Sequence, residues 1–129
     1  MHPNSAADDD AASPVRLDAQ ALARLQELDP DGRHGVVPRV LAAYEASLQR
    51  LLAQLRAAQE PALAGVMAGV AHTLKSSSTS VGALDLARTC AEVEARLRHG
   101  DASSLAGDLA RLLADGDTAH EAVKAILRK

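Results

Sequence analysis

His72 and Lys75 stand three residues apart in the stretch Ala71-His72-Thr73-Leu74-Lys75-Ser76-Ser77-Ser78-Thr79-Ser80-Val81-Gly82-Ala83, and this pairing of an imidazole with a cation is where the chain is best equipped for chemistry. An unperturbed imidazole titrates near pH ~6.5, so at neutral pH much of it is uncharged and nucleophilic. Such a ring can accept a phosphoryl group. The charge and the three acceptor oxygens that arrive with that group call for a cation and hydrogen-bond donors close by, and Lys75 with the hydroxyls of Ser76 and Thr79 supplies them.

These residues must be held on a helix for that to work. With ~3.6 residues per turn, Leu63, Met67, Val70, Leu74 and Val81 form one apolar stripe, with small Ser77 and Ser78 between them. His72 lies on the far side, sharing its face with Lys75, Ser76 and Thr79 at i+3, i+4 and i+7, and with small Ala68 and Gly69 one turn before it. The stripe predicts a packed face, and the imidazole is expected to point away from it. Small neighbours keep the ring accessible.

The remaining helices follow from the same periodicity. Leu17, Ala21, Leu25 and Leu28 mark a short amphipathic helix with Asp18 near its start, ended by Asp29-Pro30-Asp31-Gly32. That tetrapeptide is a turn rather than a calcium loop, since the oxygen ligands needed after Gly32 are missing. Val37, Val40, Leu41, Tyr44, Leu48, Leu51, Leu52 and Leu55 predict a long core helix to about Ala58, with Pro38 tolerated in its first turn. Pro61 is expected in the first turn of the His72 helix, which Gly82 breaks. Leu86, Cys90, Val93 and Leu97 form the next stripe, closing at His99-Gly100. Asp101 is positioned to cap a last helix carrying Leu105, Leu109, Leu112, Val123, Ile126 and Leu127, with Asp115-Gly116-Asp117 as a point where it can kink or split. His99 and His120 read as scattered surface residues. Short connections make sequence neighbours antiparallel, which predicts an all-α, up-down four-helix bundle with a short additional N-terminal helix. Residues 1–14, with two prolines and Asp8-Asp9-Asp10, are expected to be a disordered tail before a single domain over 15–129.

Composition narrows the function classes. The 129 residues are 47% hydrophobic but only 1% aromatic, so the core must be Leu, Val and Ala, a mixture that favours helix. A formal net charge of −3 and the near absence of aromatic surface argue against a nucleic-acid partner. One Cys excludes an internal disulfide framework and suits a reducing compartment, with Cys90 as a core thiol. No apolar run is long enough to span a membrane and the N-terminus is not that of a signal peptide, so a soluble, cytoplasmic protein is expected. There is no Gly-rich phosphate loop, nucleotide fingerprint or metal-spaced Cys/His cluster, so the chain cannot draw a phosphoryl group from ATP by itself.

Glu94 completes the candidate site. Residues equidistant from the turn of an antiparallel hairpin lie at one height, and 72 and 94 are equidistant from the turn at Gly82-Ala83. Glu94 also borders the apolar stripe of its own helix, one turn from Cys90 and Leu97, so it is expected to point towards the neighbouring helix. A carboxylate there can accept a hydrogen bond from Nδ1 of His72, fixing the tautomer and leaving Nε2 as the nucleophile.

The run from His72 through Lys75 and the small residues to Gly82 resembles the histidine-containing phosphotransfer (HPt) domain, whose pattern is His-x-x-Lys-Gly-Ser/Ala-small with a further Gly beyond. The helix pattern extends the resemblance over about Leu17 to Leu127. One position departs: Ser76 stands where the family usually has Gly. The family often places Gln or Glu at the position of Glu94, where it holds the imidazole. The resemblance implies a helical bundle and a phosphorelay intermediate of a two-component system. On that reading His72 takes a phosphoryl group from the phospho-aspartate of a response-regulator receiver domain and passes it to another receiver, with Ala68, Gly69, Ser76 and Thr79 as docking residues. It also implies a hybrid sensor kinase upstream, Mg2+ supplied by the receiver rather than by any cofactor of this chain, and a monomer. A helical adaptor that docks receiver or kinase domains without being phosphorylated is the competing reading, motivated by Ser76.

Overall fold

Asp18 opens the first helix, α1 (Ala19–Glu27), by accepting a hydrogen bond from the backbone N–H of Ala21 at 3.0 Å. The computed structural model describes residues 16–128, so the expected tail at 1–14 lies outside the described residues. Four longer helices follow: α2 (Val36–Ala57), α3 (Leu63–Val81), α4 (Leu84–Arg98) and α5 (Leu105–Leu127). The described residues contain no strand. None of these helices is long and apolar enough to cross a membrane.

Cross-helix hydrogen bonds show how the helices meet. Between α4 and α5, Arg96 pairs with Asp108, Glu92 with Arg111 and Thr89 with Asp115, so residue number rises on one helix as it falls on the other. Between α2 and α5, Glu45 meets His120 and Arg56 meets Asp117. Tyr44 of α2 meets Ser78 of α3, and His72 of α3 meets Glu94 of α4. The α4–α5 and α2–α5 contacts run antiparallel, and all of them are consistent with a four-helix bundle.

The core is aliphatic. Leu41, Leu48, Leu55, Met67, Leu74, Leu86, Val93, Leu112 and Val123 are all but fully buried, and Ser78 and Tyr44 are buried among them with their hydroxyls 2.8 Å apart. The mutual hydrogen bond makes two buried hydroxyls tolerable. Burial pushes the Tyr44 phenol up to about 12 and the Cys90 thiol up to about 12, with Asp115 and Glu94 adding to the latter, so Cys90 is a core thiol and a poor nucleophile.

Several boundaries differ from the expectation. A turn in which Ala62 N–H donates to Gln59 O places Pro61 before α3, which starts at Leu63. Asp101 does not cap α5: its carboxylate accepts from the backbone and hydroxyl of Ser103, its own N–H donates to Arg96 O in closing α4, and Ser104 occupies the cap position. α5 runs unbroken through Asp115-Gly116-Asp117. Gly116 faces Leu52, and a Cβ there would lie 2.5 Å from a Leu52 methyl, so this glycine permits close approach of α2 rather than a kink. Leu28 is 68% exposed because α1 has already ended at Glu27. His120 is half-buried between α2 and α5, bonded to Glu45 and Gln49, and is not a free surface residue.

Candidate functional site

The height of His72 against α4 is set by the α3–α4 turn. Gly82, with φ at +88°, closes α3, and Ala83 N–H donates back to Ser78 O at 2.8 Å. Gly82 also receives the start of α1: Asp18 N–H donates to Gly82 O at 2.9 Å, and a Cβ on Gly82 would lie 2.6 Å from that nitrogen. Only glycine fits there on both counts.

From this turn the antiparallel register carries Glu94 to the height of His72. Its Oε2 lies 2.7 Å from His72 Nδ1, and its Oε1 lies 2.7 Å from Lys75 Nζ. Arg98, one turn further along α4, places Nη2 3.3 Å from the same Oε2. The Glu94 side chain is only 11% exposed, whereas that of His72 is 72% exposed. The hydrogen bonds from Lys75 and then from His72 pull the Glu94 carboxyl down from the ordinary 4.5 to about 2, against the opposing effect of burial. An ionised carboxylate only accepts, so Nδ1 carries the proton and donates. Nε2, left with its lone pair, has no hydrogen-bond partner among the described residues.

The structure brings together three of the expected residues, His72, Lys75 and Glu94, and adds Arg98, which was not among them. Its i+4 spacing from Glu94 was the available signal. Lys75 is held by Glu94 rather than standing free beside the imidazole. Of the hydroxyls on this face, Thr79 donates to Lys75 O at 2.8 Å, while the Ser76 hydroxyl is exposed and has no partner among the described residues. Gly69 is exposed and Ala68 half-buried. A Cβ on Gly69, or on Gly65 a turn earlier, would meet nothing within 4 Å, so neither glycine is there for packing inside the chain, and the surface before His72 stays low. Among the described residues no cluster of three or more His, Cys, Asp or Glu side chains could hold a metal ion.

The segment of α3 and α4 that carries His72 and Glu94 has a counterpart among known families. The chain matches the Hpt domain family over residues 39–127, a span that includes α3, α4 and the whole His72–Glu94 pair. The chain belongs to the Hpt domain family. It is also similar to the crystal structure of histidine-containing phosphotransfer protein B from Pseudomonas aeruginosa, with a TM-score of 0.74 and 26% sequence identity over 90% of this chain and 97% of that one. No curated protein sequence matches it. The role of this Hpt domain is histidine phosphotransfer in phosphorelay signalling, and Hpt proteins of two-component systems generally partner with receiver domains and kinases.

Proposed function

We propose that His72 is the phosphoryl acceptor of this Hpt domain and that Nε2 is the atom that carries the group. The observation that supports it is the pairing of an exposed Nε2 with an Nδ1 proton held by a largely buried, ionised Glu94. In the forward step the Nε2 lone pair attacks the phosphorus of a receiver's phospho-aspartate. The P–Nε2 bond forms, the P–O bond breaks, and the aspartate departs as a carboxylate with the bonding electrons. The ring becomes an imidazolium whose Nδ1 proton stays hydrogen-bonded to Glu94, so no proton has to move during transfer. A cationic ring is also the better leaving group when a second receiver's aspartate attacks, and this suits a carrier that must give up what it takes.

Among the described residues no acidic or His/Cys cluster could hold a metal ion, so on this reading Mg2+ would be held by the receiver and would supply charge neutralisation during transfer, while His72 supplies the nucleophile. Ala68 and Gly69 give a receiver a low surface to approach. Ser76 and Thr79 extend that surface on the other side of His72, with Ser76 free to donate to phosphoryl oxygens. We place the relay in the cytoplasm, as a monomer between a hybrid sensor kinase and one or more receivers. Incubation with a phosphorylated receiver, followed by acid and base treatment, tests the reading. Acid-labile, base-stable label on the wild type but not on His72→Gln is expected. Complex formation with no label on the wild type would make the protein an adaptor instead.

A further inference from the structure

Glu94 is surrounded by more positive charge than one carboxylate needs. Lys75 holds Oε1, while His72 and Arg98 share Oε2. The carboxylate is nearly enclosed, but the side chains of Lys75 and Arg98 are 41% and 64% exposed and can reorient without unpacking the bundle. With His72 neutral, the two cations and Glu94 sum to one positive charge. A phosphoryl group on Nε2 then brings roughly two negative charges to a ring whose other nitrogen already faces the Glu94 carboxylate. The added charge attracts Lys75, whose ammonium and the imidazole already sit on the two oxygens of one carboxylate, yet moving Lys75 away strips Oε1 of its cation.

We infer that Arg98 is a positioning residue that takes over the neutralisation of Glu94 when Lys75 leaves it for the phosphoryl oxygens. The inference rests on His72 being the acceptor. In the unphosphorylated protein Lys75 and Arg98 both hold Glu94 and the ring is locked. In the phosphorylated protein Lys75 serves the phosphoryl group, Arg98 serves Glu94, and Glu94 still holds the Nδ1 proton. Arg98 therefore acts through Lys75 and does not itself need to reach the phosphorus. A guanidinium suits this task because it remains charged and can give two donors to one carboxylate.

A double-mutant cycle on the full chain tests it without any cognate partner. Wild type, Arg98→Ala, Lys75→Ala and the double variant are phosphorylated with phosphoramidate, and loss of the phosphorus–nitrogen bond is followed by phosphorus NMR. Arg98→Ala should shorten the lifetime of the phosphorylated form by about two- to fivefold, the size expected of an exposed ion pair. Arg98→Lys should restore most of it, and the double variant should decay no faster than Lys75→Ala alone. The ring nitrogen shifts of unphosphorylated Arg98→Ala should match the wild type, since Lys75 still holds Glu94. Equal lifetimes for Arg98→Ala and wild type, or effects that multiply in the double variant, would overturn the role given to Arg98 while leaving the phosphoacceptor in place. Failure of the wild type to label on His72 would overturn both.

Discussion

Helix α3 has polar groups on both of its faces, and they are held in opposite ways. On the inner face Ser78 is fully buried and its hydroxyl is matched by that of Tyr44, so both groups are spent on each other. On the outer face His72 has one nitrogen spent on Glu94 and the other left open. The inner pair contributes to a defined core, because a buried hydroxyl without a partner costs free energy. The outer pair spends half of the imidazole's bonding capacity on a fixed tautomer and leaves Nε2 exposed. Full satisfaction gives structure, and partial satisfaction leaves the open nitrogen that the proposed phosphotransfer needs.

Substitutions on the two faces should separate these roles. His72→Gln has the largest expected effect, complete loss of acid-labile labelling, with thermal unfolding within about 0.5 kcal/mol of the wild type because the side chain is mostly solvated. Unfolding of that variant well below the wild-type temperature would give His72 a structural share that its exposure does not support. Glu94→Ala should slow labelling by about tenfold, the factor that corresponds to about 1.4 kcal/mol from one lost hydrogen bond. Ring nitrogen shifts should then show both tautomers where the wild type shows one. Tyr44→Phe should reverse the pattern: about 1 to 3 kcal/mol of destabilisation in urea unfolding, since the Ser78 hydroxyl is left buried alone, with the labelling rate unchanged. A changed rate would mean that the inner face of α3 is coupled to the outer.

Acid should sharpen the same contrast. The Glu94 carboxyl lies well below its unfolded value, so its pairing with Lys75 and His72 contributes stability that is fully present above about pH 4.5 and lost as pH falls from there towards 2. The side-chain carboxyl carbon of Glu94 should accordingly show its NMR titration near pH 2, and a midpoint near 4.5 would mean that the cluster is not formed in solution. The smallest effect is expected of Ser76→Ala. It removes one exposed donor while keeping the helix intact, and should slow transfer from a receiver by about two- to threefold. Faster transfer would show that the hydroxyl obstructs the partner.

Much of this site was legible before the fold. The apolar stripe Leu63, Met67, Val70, Leu74, Val81 settled which way His72 points, because a helix with one buried face leaves the other side no choice. The two-residue turn settled the height of Glu94, because an antiparallel hairpin pairs residues symmetrically about its turn. Tertiary structure decided the rest. Which acid the ammonium of Lys75 would find, and that Arg98 would join it, depended on the ends of long flexible side chains, whose positions follow charge and burial across helices rather than sequence spacing. Gly116 lies within α5 with the Leu52 side chain of α2 against it, a contact between residues far apart in the chain. Asp29 reads locally as a turn residue, yet it is buried and accepts the backbone N–H groups of His34 and Val36 to start α2, a role set by the path of the loop between α1 and α2. Helical period and turn length act over a few residues and can be read from the chain. The pairing of charges and the fit of a glycine against a leucine require the helices to be in place.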